Sequence, residues 1–587
     1  MVNGIGALVT FTTVGLAAAV VWAQHEPELR NVEAGRVIPS INYADQPYVA
    51  VLPTGRWVCV LTTGAGREGA GGQHVVSSLS SDRGRTWSPL VAIEPASGPA
   101  ASWACPLVTR FGRIYAFYTY NGDRVDLGRN DTHGWYAFKY SDDGGRSWSP
   151  RRYRLPVRDT ACDTIRRGGK VVHHFWSICK PIVVGDVVYF SFTKLGRYFL
   201  EDGEGWVFRS DNVLTEKDPA KIRWRMLPVG EAGIKHPEFG SVQEEHNLAA
   251  MSKAGHLVCV YRTTKGHPAV SYSRDGAKTW SKSEPMRYRP GGRTIRHPRA
   301  CPKIWRCGNG KFLLWCHNNG GKDFTGRNPV WLSGGVEIGR TIHWSEPEIL
   351  LYHDEAGKRM SYPDLIEQGG RYWVTETEKQ VARVHEIDPS LLAGLWGQFD
   401  KNQSVTRRGC VLSLDEKQIA DAKRKGAAMP ELPDLSKRGG FTVAMRLTAA
   451  DLEPGQVILD TRAGGKGKGI AVMTTEAGTL GMTFGDGRHS AAGDVDKGLL
   501  EPGRLHHVVF IVDGGPAIIS CVVDGRLCDG GTHRRRFGWT RFDRRITRVG
   551  GGKLKLPPGT GARLRRLRIY SRYLRTSEAV ANCLARP

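Results

Sequence analysis

The stretch "YSDDGGRSWSP", residues 140–150, decides how this chain is read, because two near relatives of it stand elsewhere in the chain. "LSSDRGRTWS" ends at Ser88 and "YSRDGAKTWS" ends at Ser281. Each copy has the chemistry of a hairpin turn. The Asp carboxylate can accept backbone N–H bonds, the Gly can take a positive φ, and the Trp can wedge between neighbouring sheets. The turn tryptophans are Trp87, Trp148 and Trp280, and degenerate versions place Trp224 after "FRSDN" and Trp344 in "GRTIHWSEP". Successive tryptophans are 61, 76, 56 and 64 residues apart. Before each lies a strand, a Gly turn and a strand, as in "RWVCVLTT", "VVYFSFTK", "HLVCVYRT" and "KFLLWCHN". A unit of about sixty residues made of a few antiparallel strands suits a propeller blade, since radial repetition hides sheet edges. Five such units and a last one around residues 360–400 predict an all-β, six-bladed β-propeller over residues 40–400.

Composition supports that reading. Of 587 residues, 40% are hydrophobic, and 72 Gly with 17 Trp suit many short strands and tight turns. The formal charge of +25 raises the question of nucleic acid. The basic residues are spread through both halves rather than gathered in a stripe, so nucleic acid is not expected as a partner. The densest patch, "THRRRFGWTRFDRR" (532–545), reads as a solvated loop. A basic protein is drawn instead to anionic glycans or cell surfaces. Twelve scattered Cys make no zinc-like spacing: Cys301/Cys307 and Cys521/Cys528 have the wrong gaps, and Cys59, Cys259 and Cys316 sit inside strands. The N-terminus is apolar from Ile5 to Ala23, and Val21-Trp22-Ala23 fits a small-residue cleavage site. Residues 1–23 are therefore expected to be a signal peptide or, if uncleaved, an N-terminal anchor. The protein is expected to be secreted, periplasmic or at the cell surface, without other membrane association.

The repeated turns, Ser80-x-Asp82-x-Gly84-x-Thr86-Trp87, Ser141-x-Asp143-x-Gly145-x-Ser147-Trp148 and Ser273-x-Asp275…Thr279-Trp280, resemble the Asp-boxes (BNR repeats) of the sialidase (neuraminidase) superfamily. That resemblance covers about residues 40–400 and implies a particular site. The anomeric carbon of sialic acid carries a carboxylate, which repels a carboxylate nucleophile and calls for guanidinium partners. Sialidases use a Tyr nucleophile, activated by a Glu. "SVQEEHNLAAMSKAGHLVCVYRTTKG" is similar to the segment that supplies the Glu and an Arg, which implies Glu245 (or Glu244) as base and Arg262 as carboxylate clamp. "GRNPVW" implies Arg327 as the following clamp, one blade later. "RMSYPDLIEQGGRYWVTETEK" implies Tyr362 as nucleophile, with Glu376 or Glu378 steadying an Arg. The first clamp departs from the pattern: "YADQPYVAVLPTGRWVCVLTT" carries Asp45-Gln46-Pro47 where an Arg segment is expected, leaving Arg36 or Arg67 as candidates. The acid/base Asp is also missing, and Glu68 or His74 in "GREGAGGQHVVSSLS" are the candidates to move that proton. Trp103, Tyr118 and Trp135 are candidate sugar-stacking surfaces.

From Lys401 the turns stop. Residues 401–440 read as a linker with a short helix, and residues 441–587 as a second β domain. Phe441, His506-His507-Val508-Val509, Val523-Asp524-Gly525 and "LRIYSRYLRTSEA" resemble a laminin-G or concanavalin-like β-sandwich (jelly roll). Such domains bind sugars, sometimes through calcium, but no Asp/Asn cluster here commits to a metal, so no cofactor is expected. The function implied by the resemblance is an exo-α-sialidase, a glycoside hydrolase removing terminal sialic acid from glycoconjugates, with sialylated or other anionic glycans as partners. The alternatives are a propeller glycosidase for another acidic or neutral sugar, and a non-catalytic glycan-binding protein.

Overall fold

A computed structural model describes residues 28–196, 201–462, 467–534, 536–557 and 562–585. The expected signal peptide or anchor lies outside these residues. Among them no helix is long and apolar enough to cross a membrane.

The first two-thirds of the chain is a succession of antiparallel sheets, each built from consecutive strands. The first sheet comprises Tyr43–Val51, Trp57–Gly64, His74–Ser80 and Val91–Ala92. The second runs from Ala101–Val108 to Tyr153–Arg154, and the third from Phe175–Trp176 to Arg225–Leu227. The fourth comprises Glu244–Ala250, Leu257–Arg262, Ala269–Ser273 and Glu284–Pro285. The fifth runs from Lys303–Arg306 to Thr341–Trp344. The sixth joins Leu365–Gln368, Arg371–Thr377 and Ala382–Glu386 to the early strand Arg36–Ile38, so this region begins before residue 40.

Neighbouring sheets share apolar clusters. Val60 and Val75 of the first pack with Ala116 and Tyr118 of the second. Phe117, Phe190 and Cys259 join the second, third and fourth. Val260 and Leu314 join the fourth and fifth, and Trp315 and Val374 the fifth and sixth. Trp57 and Trp373 return from the sixth to the first, with ring centroids 5.2 Å apart.

The repeated turns link the third strand of the first, second and fourth sheets to the fourth. In each, one carboxylate organises the loop. Asp82 accepts from Thr86 N (2.9 Å) and Oγ1 (2.7 Å), Asp143 from Ser147 N (3.0 Å) and Oγ (2.6 Å), and Asp275 from Thr279 N (3.0 Å) and Oγ1 (2.7 Å). Gly145 has φ +89°, and a Cβ there would meet Leu79 at 3.0 Å and Val58 at 3.1 Å. The third copy tolerates Ala277 at that position, at φ +70°. Trp148 reaches the preceding sheet, donating to Ser77 Oγ at 2.9 Å. Asn212 replaces the Asp in the degenerate turn before Trp224, accepting from Arg223 N. Around Trp344 the chain instead makes a tight hairpin, Ile338 pairing with Thr341.

Residues 401–440, expected as a linker, do more than link. Cys410–Leu414 pairs with Ala562–Tyr570 and so belongs to the second region, followed by the helix Glu416–Lys425. That region holds a seven-stranded and a four-stranded antiparallel sheet. Val443 and Met445 of the larger sheet pack on Ile470 and Phe484 of the smaller. On the opposite face, Ala444, Val509 and Tyr570 pack on Trp331 and Tyr352 of the first region. Apolar cover on both faces explains why "VVFIV" (508–512) does not alternate. The patch 532–545 is a correction too: it is not a freely solvated loop. Arg534 pairs with Asp494 and Asp496, Arg536 with Asp323, and Arg544 with Asp354, while Arg541 donates to the Asn328 carbonyl. Three of these contacts tie the two regions together. All twelve Cys are free thiols, ten of them buried.

Candidate active site

Strand geometry fixes where side chains from different sheets meet. In the fourth sheet Glu244 pairs with Arg262 at one end, and Leu257 with the turn residue Ser273 at the other. The turns therefore lie about 17 Å from the strand starts, at roughly 3.4 Å per residue. At those starts a local device recurs. A register shift separates Asp45 from Tyr48, Ser102 from Cys105, and Glu244 from Asn247. Inside each shift one non-glycine residue is left-handed: Gln46 (φ +50°), Trp103 (φ +65°) and Glu245 (φ +57°). Tyr362, before the first strand of the sixth sheet, has φ +48°. A left-handed bulge turns a side chain out of the strand's alternation, at a cost of about 1–3 kcal/mol in strain. Left-handed residues at four strand starts, three of them inside a bulge, mark the place where the sheets were shaped for something other than pairing.

Tyr362 and Glu245 meet there: the phenol donates to Glu245 Oε1 at 3.0 Å. Arg262 Nη1 donates to the same oxygen at 2.7 Å, and Arg262 Nη2 pairs with Glu244. All four side chains are buried. Burial pushes the Tyr362 phenol well above its ordinary range, with the Glu245 carboxylate adding to the rise and Arg262 and Arg327 opposing it. The phenol is thus neutral and held against its base. Burial also raises the Glu244 carboxyl against the pull of Arg262.

Two further guanidinium groups face this pair. Arg327 donates to Ser361 Oγ at 2.8 Å and to the Arg299 carbonyl at 2.7 Å. Arg299 is half-buried, and its charge is disfavoured first by burial and then by repulsion from Arg262, with Arg327 adding a smaller repulsion. Buried polar atoms without a partner gather at the same place: Glu244 Oε1, Glu245 Oε2 and the Nε atoms of Arg262, Arg299 and Arg327. Such groups are few in folded proteins, so their concentration marks a site built to hold a polar ligand. An anion between Arg299 and Arg327 would relieve the excess positive charge.

On the other side of Tyr362 lies a charged wall that the sequence reading did not foresee. Lys379 Nζ sits 4.2 Å from the Tyr362 ring centroid and pairs with Asp45 at 2.7 Å and Glu68 at 3.1 Å. Arg129 joins Glu68 (3.2 Å) to Asp131. Partial burial would raise the Glu68 carboxyl, but Lys379 and Arg129 outweigh it and hold it at about 2. Trp103 stands 6.5 Å from the Tyr362 ring and 5.6 Å from Trp176. Together with Leu195 these two tryptophans form a small apolar cluster.

Several expected residues are elsewhere. Arg36 is exposed on the outer strand of the sixth sheet, opposite Val384. Arg67 is exposed on the loop before His74. Neither joins the guanidinium cluster, whose third member is Arg299. His74 is buried and meets the Gly72 carbonyl at 3.2 Å. Glu376 and Glu378 hold Arg383 (3.5 and 2.8 Å), a strand neighbour and not a clamp. Tyr118 is bonded to buried Glu94, and Trp135 lies under Arg154; both serve packing where the first and second sheets meet. Arg299 was detectable in principle: "HPRACPK" opens the fifth sheet as Glu245 opens the fourth.

The family model of the BNR repeat-like domain matches residues 98–374, and that of the Concanavalin A-like lectin/glucanases superfamily matches residues 421–580. No curated protein matches the chain. Among solved structures it is similar to the Hadza microbial sialidase Hz136, at 17% identity and TM-score 0.43 over 59% of this chain and 66% of that one. A mutant of Trypanosoma rangeli sialidase displaying trans-sialidase activity aligns at 13% identity and TM-score 0.45, over 94% and 97% of the two chains. A mutant of NanB sialidase from Streptococcus pneumoniae aligns at 13% and 0.42, over 60% and 69%. The chain thus joins a region that matches the BNR repeat-like domain to one that matches the Concanavalin A-like lectin/glucanases superfamily.

Proposed function

We propose that residues 36–386 form a six-bladed β-propeller, that the C-terminal region is a β-sandwich, and that the chain is an exo-α-sialidase. The observation that carries this reading is the Tyr362–Glu245 hydrogen bond inside the fork of Arg262, faced by Arg299 and Arg327. The ring of shared apolar clusters, returning from the sixth sheet to the first, supports the propeller. In this reading Arg299 and Arg327 hold the substrate carboxylate. Tyr362 Oη attacks the anomeric carbon while Glu245 takes the phenolic proton, so no carboxylate has to approach a carboxylate. Arg262 orients Glu245 through its 2.7 Å hydrogen bond.

Glu68 is the carboxylate across the ring of Tyr362, and its pairing with Lys379 and Arg129 favours the ionised form. It suits deprotonation of the water that frees the sugar better than protonation of the leaving oxygen. Turnover is therefore expected to favour substrates whose leaving group needs no proton.

A fluorogenic aryl sialoside tests the reading. The wild type should turn it over, and Tyr362→Phe should lose roughly 10⁴-fold or more while folding normally. Binding without turnover in the wild type would mean a glycan-binding protein instead. One observation favours a second reading: the first sheet presents Asp45 bound to Lys379 where a third free cation would suit sialic acid. A glycosidase for another acidic sugar would show turnover in a panel of such glycosides and none on sialosides.

A further inference from the structure

Three lysines are buried in the described residues: Lys139, Lys194 and Lys303. Lys139 lies 3.5 Å from Glu94, and Lys194 pairs with Asp163. Lys303, 3% exposed, has no carboxylate within ion-pair distance among the described residues. Its ammonium donates to Tyr48 Oη at 2.8 Å and to the Ile178 carbonyl and lies 4.4 Å from the Tyr48 ring centroid, all partners without a formal charge. A buried charge without a counter-ion is costly and is retained where something compensates it. Beside it is a cavity of about 400 Å³, lined by Lys303, Lys180, Asn247, Ile304, Arg306 and Glu367 among others. The lining holds three cations, Lys180, Lys303 and Arg306, against Glu367 and the Asp364 that pairs with Lys180 at 2.7 Å, which leaves an excess of one positive charge with Lys303 as the buried cation.

We infer that this cavity is a binding site for a small oxyanion, a carboxylate or a phosphate, with Lys303 as its counter-charge. The site is separate from the guanidinium cluster. Ile178 stands between the two, packing its side chain against Tyr362 and Cys301 and giving its carbonyl to Lys303. Because the inference rests on charge and space rather than on the proposed reaction, it stands or falls independently of sialidase activity.

Calorimetric titration of sodium acetate, and separately of inorganic phosphate, into the full-length protein tests it. At least one anion should bind the wild type at a site that Lys303→Met weakens by roughly ten- to a hundredfold, the size expected for losing a charged hydrogen bond. The anion that binds more tightly identifies the class. Equal binding in wild type and variant, or no binding to the wild type, overturns the inference. If Lys303→Met does not fold, crystals of the wild type soaked in bromide decide. Anomalous density beside Lys303 Nζ supports the site, and density confined to other places or absent overturns it.

Discussion

The turns at one end of the sheets and the bulges at the other make an instructive pair. Both use a left-handed residue in every copy, yet they are built on opposite logic. In the turns the strain is local and locally answered. Ser, Asp and Thr or Ser within eight residues satisfy one another, and the same hydrogen bonds recur in three copies. In the bulges each left-handed residue is different, and each answers to a partner far away in sequence. Glu245 meets Tyr362 across 117 residues, and Gln46 donates to the Ser177 carbonyl across 131. The first arrangement repeats because it does one structural job. The second varies because each strand start contributes a different group to one place.

The contrast can be sharpened by substitution, and the largest effect belongs to the varied end. Arg299→Gln should lower kcat/KM roughly 10²-fold on a sialoside, mainly through KM, corresponding to about 3 kcal/mol for a lost charged contact. Arg36→Ala, on the outer strand, should leave kcat/KM unchanged. Equal losses in both would dissolve the distinction.

The next effect is pH-dependent. The Glu68 carboxyl is held at about 2, below its ordinary 4.5. Its stabilising contribution is therefore complete above about pH 4.5 and lost as pH falls toward 2. Glu68→Gln should lower stability at pH 7 by on the order of 2 kcal/mol, and in chemical denaturation the gap to wild type should narrow by about pH 3 and close only near pH 2. A gap that persists at low pH would show that packing, not charge, is at work.

At the repeated end effects are smaller and confined to stability. Asp143→Ala should cost about 1–2 kcal/mol, as for an unanswered set of turn donors, with kcat unchanged. Ala277→Gly should raise stability by about 0.5–1 kcal/mol, since strain at φ +70° is relieved in excess of glycine's entropic cost. A thermal melt decides both.

This contrast also explains what could be read in the sequence. The turns are legible because their chemistry is contained in one short window. Glu245, Arg262, Arg327 and Tyr362 were found because the segments that hold them resemble, in the same order, those of the sialidase superfamily. Arg299 was missed because the strand it precedes, Lys303–Arg306, is four residues long and the segment is broken by Pro298 and Pro302. Lys379 and Asp45 could not be paired from sequence, since nothing local in either segment asks for the other. Arg36 and Arg67 were misplaced because a chain with 83 Lys and Arg offers an arginine near almost any expected position. The patch at 532–545 looked free because its acidic partners, Asp323, Asp354, Asp494 and Asp496, are distant in sequence.

Catalysis of the proposed kind depends on a phenol that bonds covalently to sugar carbon while a glutamate, pinned by a guanidinium, holds its proton. Incubation with a fluorinated sialoside bearing an activated leaving group, followed by peptide mass spectrometry, interrogates that bond itself. A glycosyl adduct on the peptide containing Tyr362, absent in Tyr362→Phe, is the predicted outcome. An adduct on any other residue, or steady turnover of that reagent with no adduct at Tyr362, would contradict it.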